Sequence, residues 1–220
     1  MFISTLKKIA CFCLLLIFCC PLSLKAQEAA PFGLTWGASL KQIEALGVKL
    51  EPVEGGDIYQ TKKLPHNEEW AENYALLVDK KQGLIRIVAY GGDILNDRDG
   101  QMGRRIYYQL KADLEKDLTL VKSTENGIET EGLDIPVGMS FYACLEHGPC
   151  ETWRSQYVNE SLNAELSLEG LAVDAGYVSV IYENSKLTKA AQNKNSGSKS
   201  KSKSRSKNKT KSKSKDKNKT

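Results

Sequence analysis

The sequence predicts an α+β fold in which helices pack on one face of an antiparallel sheet. A segment whose apolar residues have helical spacing is followed by three segments with the composition of strands, and this order occurs twice along the chain. Apolar and polar residues also alternate without fault over residues 162–169, which is typical of a strand with one buried and one solvated face. The element order suggests two α-β-β-β units, at residues 31–92 and 98–186, within one domain at residues 27–193.

The first unit opens with a short amphipathic helix. Ser39 and Gln42 have the spacing of a capping box, and Gly47 predicts a glycine C-cap. Between Ser39 and Gly47, three apolar residues have helical spacing, namely Leu40, Ile43 and Leu46. Three strands are predicted next, at Ile58–Lys62, Tyr74–Asp79 and Leu84–Tyr90, and residues 80–83 predict a hairpin turn between the last two.

The second unit is predicted to begin with the longest helix of the chain, over Gln101–Leu120. Apolar residues recur there every four positions, at Met102, Ile106, Leu110, Leu114 and Leu118. In the preceding loop, Asn96-Asp97 predicts a turn and Asp99 is expected to cap the helix. Three strands follow, at Trp153–Val158, Leu162–Leu168 and Tyr177–Tyr182.

Charge divides the 220-residue chain into three segments that its formal charge of +4 conceals. Residues 1–26 carry +3, residues 27–193 carry −10 and residues 194–220 carry +11. About 165 residues therefore remain for the fold, which excludes a large multidomain enzyme. The mature protein is an acidic domain with a cationic tail.

Residues 1–26 have the pattern of a secretory signal peptide. A basic start precedes an apolar run over Ile9–Leu24, and Ala26 is a small residue that can precede cleavage. As a membrane anchor the run is short, because about 20 residues are needed to cross the hydrocarbon. A lipid anchor at Cys19 is a further alternative, although the bulky Phe18 precedes it where such signals resemble a pattern with Gly, Ala or Ser. We therefore expect an exported protein, periplasmic or secreted, without a transmembrane segment in the mature chain.

Cys144 and Cys150 are the only cysteines that follow the signal peptide. In an exported protein they are expected to form a disulfide, and Gly148-Pro149 provides a turn between them. The alternative is a metal site formed with His147. A closed zinc site needs a fourth ligand, however, and the other histidine, His66, is far away in sequence.

The sequence contains no recognisable catalytic motif. Neither of its two histidines, His66 and His147, has the sequence context of a nucleophile–base pair. Asp97 and Asp99 fit two ligand positions of a calcium loop, but Leu95 and Ile106 occupy its first and closing positions. We therefore predict no catalytic residues, no metal and no cofactor.

Two elements are candidate binding sites. Trp70 lies in an acidic stretch, so it is either a packing residue or an anchor for a basic partner. The Lys/Ser-rich tail at residues 194–220 cannot bury a core and is predicted to be disordered. It is either a solubilising extension, a screen for the acidic body, or an attachment element for anionic lipid, lipopolysaccharide or an envelope polymer. Its candidate binding residues are Lys199, Lys201, Lys203, Arg205, Lys207, Lys209, Lys211 and Lys213.

The start of the mature chain carries a family resemblance. Residues Phe32-Gly33-Leu34-Thr35-Trp36-Gly37-Ala38-Ser39 resemble the opening of exported bacterial proteins of unassigned function that begin Phe-Gly-Leu-x-Trp-Gly-x-Ser. With Leu46-Gly47, the glycine-serine helix start is also similar to that of small outer-membrane assembly lipoproteins, and the paired helix-plus-sheet units resemble the β-lactamase inhibitor protein fold. These resemblances imply an exported, non-catalytic binding or inhibitory module.

We therefore expect an exported, non-catalytic module that binds or inhibits a macromolecule, with an unidentified protein as partner, and that carries a cationic tail for anionic envelope surfaces. Nucleic acid is disfavoured as the partner, because the signal peptide directs export and the tail has no aromatic residues for base stacking. The alternative is an envelope hydrolase whose site of carboxylates and tyrosines has no sequence motif. The tyrosines that this alternative would use are Tyr74, Tyr90, Tyr107 and Tyr108.

Overall fold

A computed structural model of the protein describes residues 28–54, 56–125, 138–147, 150 and 153–192. Its eight strands form one antiparallel sheet in the order β1-β2-β3-β4-β8-β7-β6-β5. The strands are β1 Glu51–Pro52, β2 Ile58–Thr61, β3 Ala71–Asp79, β4 Gly83–Gly91, β5 Thr119–Glu125, β6 Trp153–Val158, β7 Leu162–Ala172 and β8 Ala175–Asn184. The predicted signal peptide and cationic tail lie outside the described residues.

The helices are α1 Leu40–Glu44, α2 Gln101–Leu114, α3 Phe141–His147 and α4 at residues 185–192. The predicted capping box of α1 is present, because the Ser39 N–H donates to Gln42 Oε1 at 2.8 Å. Gly47 follows the helix with φ of +84°, a left-handed conformation that a glycine adopts without strain. Among the described residues, no helix has the length and apolarity needed to cross a membrane.

Two four-stranded meanders meet at the centre of the sheet. Strands β1 to β4 form one, β5 to β8 form the other, and their last strands, β4 and β8, pair with each other. The sequence analysis did not predict β1 or β5, the two edge strands. Strand β1 has only two residues, and most of β5 is exposed, so neither shows the alternation that marks a half-buried strand.

The prediction of one helix over Gln101–Leu120 was wrong at its C-terminal end. Helix α2 ends at Leu114, and β5 begins at Thr119. The four-residue spacing continues past the helix because the Leu118 N–H still donates to the Leu114 carbonyl at 2.9 Å. Leu118 therefore packs into the same hydrophobic core as the buried side chains of α2, although it lies in the turn after the helix.

All the helices that the structure describes lie on one face of the sheet, as predicted, and cover two hydrophobic clusters. The first core lies under α1 and includes Ile43, Leu76 and Ile87, and the second lies under α2 and α3 and includes Tyr107 and Leu166. Both are formed by alternate residues of the strands, which gives the sheet one apolar face. The prediction of an α+β fold with helices on one face is therefore confirmed.

The N-terminus of α2 is capped by Asp97, whereas the sequence analysis assigned that role to Asp99. The Asp97 carboxylate accepts the N–H groups of Met102 at 3.0 Å and Gly103 at 2.8 Å. Asp99 instead accepts a hydrogen bond from the Gln101 side chain at 2.7 Å. Burial opposes the ionised form of Asp97, but the hydrogen bonds that it accepts outweigh burial and hold its pKa below the usual value.

Candidate functional site

One face of the sheet carries no helix among the described residues, and we call it the open face. It is formed by the strand residues that alternate with those of the two cores. At its centre Val88 of β4 lies opposite Ile181 of β8, and Ile181 lies opposite Glu165 of β7. Val88 and Ile181 are half-buried, so the open face keeps apolar side chains in partial contact with solvent.

Two tyrosines form an aromatic pair on the open face. The ring centroids of Tyr90 and Tyr177 are 6.4 Å apart, with an interplanar angle of 49°. Burial raises the pKa of Tyr177, and the neighbouring Glu169 carboxylate and Tyr90 add to the effect. The Tyr177 hydroxyl is therefore neutral at pH values near 7, where it is able to donate or accept hydrogen bonds.

Beside the tyrosines, the open face has small side chains in its central strands. Ser167 and Ser179 lie opposite each other, with their Oγ atoms 3.0 Å apart, and each is 5% exposed. Their short side chains lie between the longer side chains of Tyr90, which pairs with Ser179, and Arg154, which pairs with Ser167.

Ion pairs join side chains on the open face between β4 and β8 and between β6 and β7. Arg86 pairs with Glu183, and Arg154 Nε lies 3.4 Å from Glu165 Oε1. Arg154 also approaches Glu169, with 3.8 Å between Nη2 and Oε1. These half-exposed pairs contribute at most about 1 kcal/mol each to stability, so their main effect is to neutralise charge on this part of the face.

Two clefts open on this face. The larger cleft, of about 830 Å³, lies at one end of the sheet and is bordered by Tyr90, Tyr177, Gln60, Asn73, three lysines and two carboxylates. The smaller cleft, of about 470 Å³, includes Arg86, Asn163, Ile181 and Glu183. The larger volume lies within the range of small-ligand sites, about 300–1,000 Å³.

Trp70, the predicted anchor for a partner, packs against both cores and is half-buried. Its acidic neighbours Glu68, Glu69 and Glu72 are exposed. The structure therefore gives Trp70 a packing role at the junction of the two cores, and its binding role stays a prediction. The eight basic residues proposed in the tail, Lys199 to Lys213, lie outside the described residues.

Cys144 of α3 and Cys150 are joined in a disulfide, in agreement with the predicted pairing. Their sulfur atoms are 2.00 Å apart and their Cα atoms 5.2 Å apart. Because both sulfurs are in this bond, neither serves as a thiolate ligand with His147, whose Nε2 lies 3.3 Å from Glu146 Oε1. No group of three metal-ligating side chains is found within the part of the chain that the structure describes.

The tyrosines of the hydrolase alternative are divided between the two faces of the sheet. Tyr107 is buried in the second core, where its hydroxyl lies 2.7 Å from Ser155 Oγ and burial raises its pKa. Tyr74, which also borders the larger cleft, is buried in the first core, and Tyr90 lies on the open face. Tyr108 is 45% exposed on α2. His66 is exposed, and its N–H donates to the Phe32 carbonyl at 3.0 Å.

The sequence analysis did not predict the Tyr90–Tyr177 pair or the two clefts. The sequence does carry one signal for this pair. Each tyrosine occupies a strand position that the alternation of apolar and polar residues assigns to the solvated face, where polar residues are typical. Their proximity depends on the pairing of β4 with β8, which no local pattern specifies.

Comparison of the chain with protein-family models, with curated proteins and with solved structures found no match.

Proposed function

We propose that this protein is an exported, non-catalytic binding module that attaches to a macromolecule of the cell envelope through the open face. The observation that carries the proposal is the open face itself, where aromatic and apolar side chains remain half-exposed beside two clefts. The resemblance to exported bacterial proteins of unassigned function and to the β-lactamase inhibitor protein fold, which implies a binding or inhibitory module, agrees with this proposal.

The open face has the dimensions of a binding surface. Eight strands at about 4.8 Å spacing span about 34 Å, and strands of about six residues are about 20 Å long. The resulting area approaches the roughly 800 Å² that each partner buries in a standard interface. Tyrosines are typical of the residues that dominate binding energy, and Tyr90 and Tyr177 belong to the two central strands of the sheet.

The cationic tail provides a second attachment in this proposal. It carries +11 in residues 194–220, opposite in sign to the −10 of the body. Electrostatic attraction to anionic lipid, lipopolysaccharide or an envelope polymer raises the local concentration of the body at the surface. The open face then supplies contacts that depend on shape as well as on charge.

Affinity capture from the native envelope tests this proposal. The full mature protein is compared with a Y90A/Y177A variant and with an L46A/M102A control, which removes two exposed apolar side chains from outside the open face. We expect capture by the tyrosine variant to weaken at least about tenfold, which corresponds to about 1.4 kcal/mol, while the control binds like the wild type. Equal capture by all three proteins would exclude the open face as the binding surface.

A further inference from the structure

We propose that the larger cleft binds an acidic saccharide, meaning a sugar unit that carries a carboxylate or phosphate group. This inference rests on the proposed use of the open face and names the class of ligand at one end of it. The cleft lies where β2 and β4 end and where β3 and β8 begin. It therefore combines groups from both halves of the sheet.

One wall of the larger cleft is cationic. Lys49, Lys62 and Lys63 border it, although the body as a whole carries −10. Within the described residues none of the three forms an ion pair, whereas Lys80, Arg86 and Lys111 do. Unpaired lysines are available to form charge-assisted hydrogen bonds with an anionic group.

The position of this wall is fixed by a local turn at the end of β2. The Thr61 hydroxyl donates to the Lys63 carbonyl at 3.1 Å, and the Lys63 N–H lies 3.3 Å from Thr61 Oγ1. Thr61 is only 7% exposed, so the turn is anchored in the packed part of the domain. The two lysine side chains thus extend from a fixed backbone.

The Tyr90–Tyr177 pair borders the same cleft. Tyrosine rings present large apolar surfaces with a polar tip, and their few rotatable bonds keep the entropic cost of ordering low. A sugar ring has C–H groups on its faces and hydroxyls around its edge. The tilted pair therefore suits the face of a sugar, and tyrosine hydroxyls are able to form hydrogen bonds with its edge.

The remaining polar groups distinguish a saccharide from a simple anion. Gln60 and Asn73 supply amides that donate and accept, and Glu51 and Asp93 supply carboxylates that accept. The two carboxylates repel a bare anion, but they accept hydrogen bonds from sugar hydroxyls. An acidic saccharide satisfies the lysines, the amides and the carboxylates together.

The smaller cleft does not offer the same chemistry. Arg86 already pairs with Glu183 there, and Gln156 Nε2 donates to Glu165 Oε2 at 2.9 Å. A ligand would have to replace these contacts before it could use those groups, which favours the larger cleft as the binding site.

Residue-resolved NMR of the full mature protein tests the inference. The protein is titrated with an oligomer of galacturonic acid, with its neutral methyl ester and with inorganic phosphate. We expect the acidic oligomer to shift the amide signals of Asn73, Tyr90 and Tyr177, and the other two probes to shift them much less. Equal shifts with phosphate alone would overturn the saccharide assignment, and shifts confined to the tail would overturn the site.

Two lysine variants provide a matched comparison. K62Q/K63Q removes two positive charges at the cleft, and K80Q/K81Q removes two at the opposite end of the sheet, in the turn between β3 and β4. We expect the first variant to bind the acidic oligomer at least about tenfold more weakly and the second to bind like the wild type. Equal weakening would indicate non-specific attraction and contradict the site.

These outcomes separate this inference from the proposed function. If the acidic oligomer fails to bind while Y90A/Y177A still loses envelope capture, the saccharide assignment is wrong and the open face remains the binding surface. If the tyrosine variant retains capture, the proposed function fails as well.

Discussion

The Tyr142 hydroxyl donates a 2.8 Å hydrogen bond to Asp97, the residue that caps α2, and so connects α3 to the start of α2. Tyr142 is completely buried, and glycines provide the space for it. A Cβ atom at Gly176 would lie 2.1 Å from the Tyr142 ring, and one at Gly103 would lie 2.3 Å from its hydroxyl. One buried side chain therefore links the two helices that cover the second core.

Replacing Tyr142 with phenylalanine should lower the free energy of unfolding by about 1–3 kcal/mol. The variant keeps the ring but removes the donor to the buried Asp97 carboxylate. Urea unfolding measures the change. Y59F is the control, because the half-buried Tyr59 hydroxyl makes no hydrogen bond within the described ranges, so this variant should unfold like the wild type. Equal stability of Y142F and Y59F would show that the contact with Asp97 contributes little.

An alanine at Gly176 should destabilise the fold by about 1–3 kcal/mol, because its Cβ would overlap the fixed Tyr142 ring. Gly92 offers a matched comparison, since the atoms nearest to a Cβ there belong to the carboxylate of Glu72, which is the far end of an exposed, flexible side chain. Thermal unfolding of G176A and G92A separates the two cases. We expect a large fall in the melting temperature for G176A only, and a similar fall for both would contradict the packing described for Tyr142.

Lowering the pH should lower the free energy of unfolding, because Asp97 becomes protonated. Hydrogen bonds lower its folded-state pKa below the unfolded value of about 3.9, so its contribution is present above that pH and is lost as the pH falls through the folded value. The difference in unfolding free energy between wild type and D97N should therefore shrink as the pH is lowered from about 5 through the folded-state pKa of Asp97. Urea unfolding over this range measures it. A difference that stays constant with pH would show that the Asp97 carboxylate is not stabilised by these hydrogen bonds.

Reduction of the Cys144–Cys150 disulfide should lower the free energy of unfolding by roughly 2 to 2.5 kcal/mol, the loop-entropy estimate for so short a ring. Thiol titration of the native mature protein should find no free thiol. Urea unfolding with and without reductant then measures the stabilisation. Two reactive thiols in the unreduced protein would overturn the pairing.

Deletion of residues 194–220 should leave thermal unfolding nearly unchanged, because a Lys/Ser-rich segment has no apolar side chains to bury. Binding to anionic vesicles should weaken steeply with salt in the full mature protein and vanish in the truncated one. A large loss of stability on truncation would mean that the tail docks on the body. Retained vesicle binding would assign the attachment to the body instead.

Elements with a strong local pattern were predicted from the sequence, and elements that depend on the sheet were not. The prediction at Trp153–Val158 matches β6, and the capping box of Ser39 and Gln42 is present at α1. Strand β5 was missed because its position at the edge leaves it without a buried face. Helix α3 was missed because its seven residues, Phe141–His147, are too few to show a repeated helical spacing of apolar residues.

The candidate site could be predicted only in outline. Alternation along β7 predicts a solvated face, but not which residues meet on it. Tyr90 and Tyr177 are far apart in the chain, and they become neighbours because β8 returns beside β4. The same pairing of distant strands creates the larger cleft, so its lysines and tyrosines cannot be grouped from local sequence patterns.

Site-specific photo-crosslinking in the native envelope tests the central claim, that the open face is the contact surface, most directly. A photoreactive amino acid is placed at Asn73, an exposed residue on the open face, or at Met102, which is 42% exposed on α2. We expect covalent adducts with envelope material from position 73 and none from position 102. Adducts from position 102 alone would contradict it.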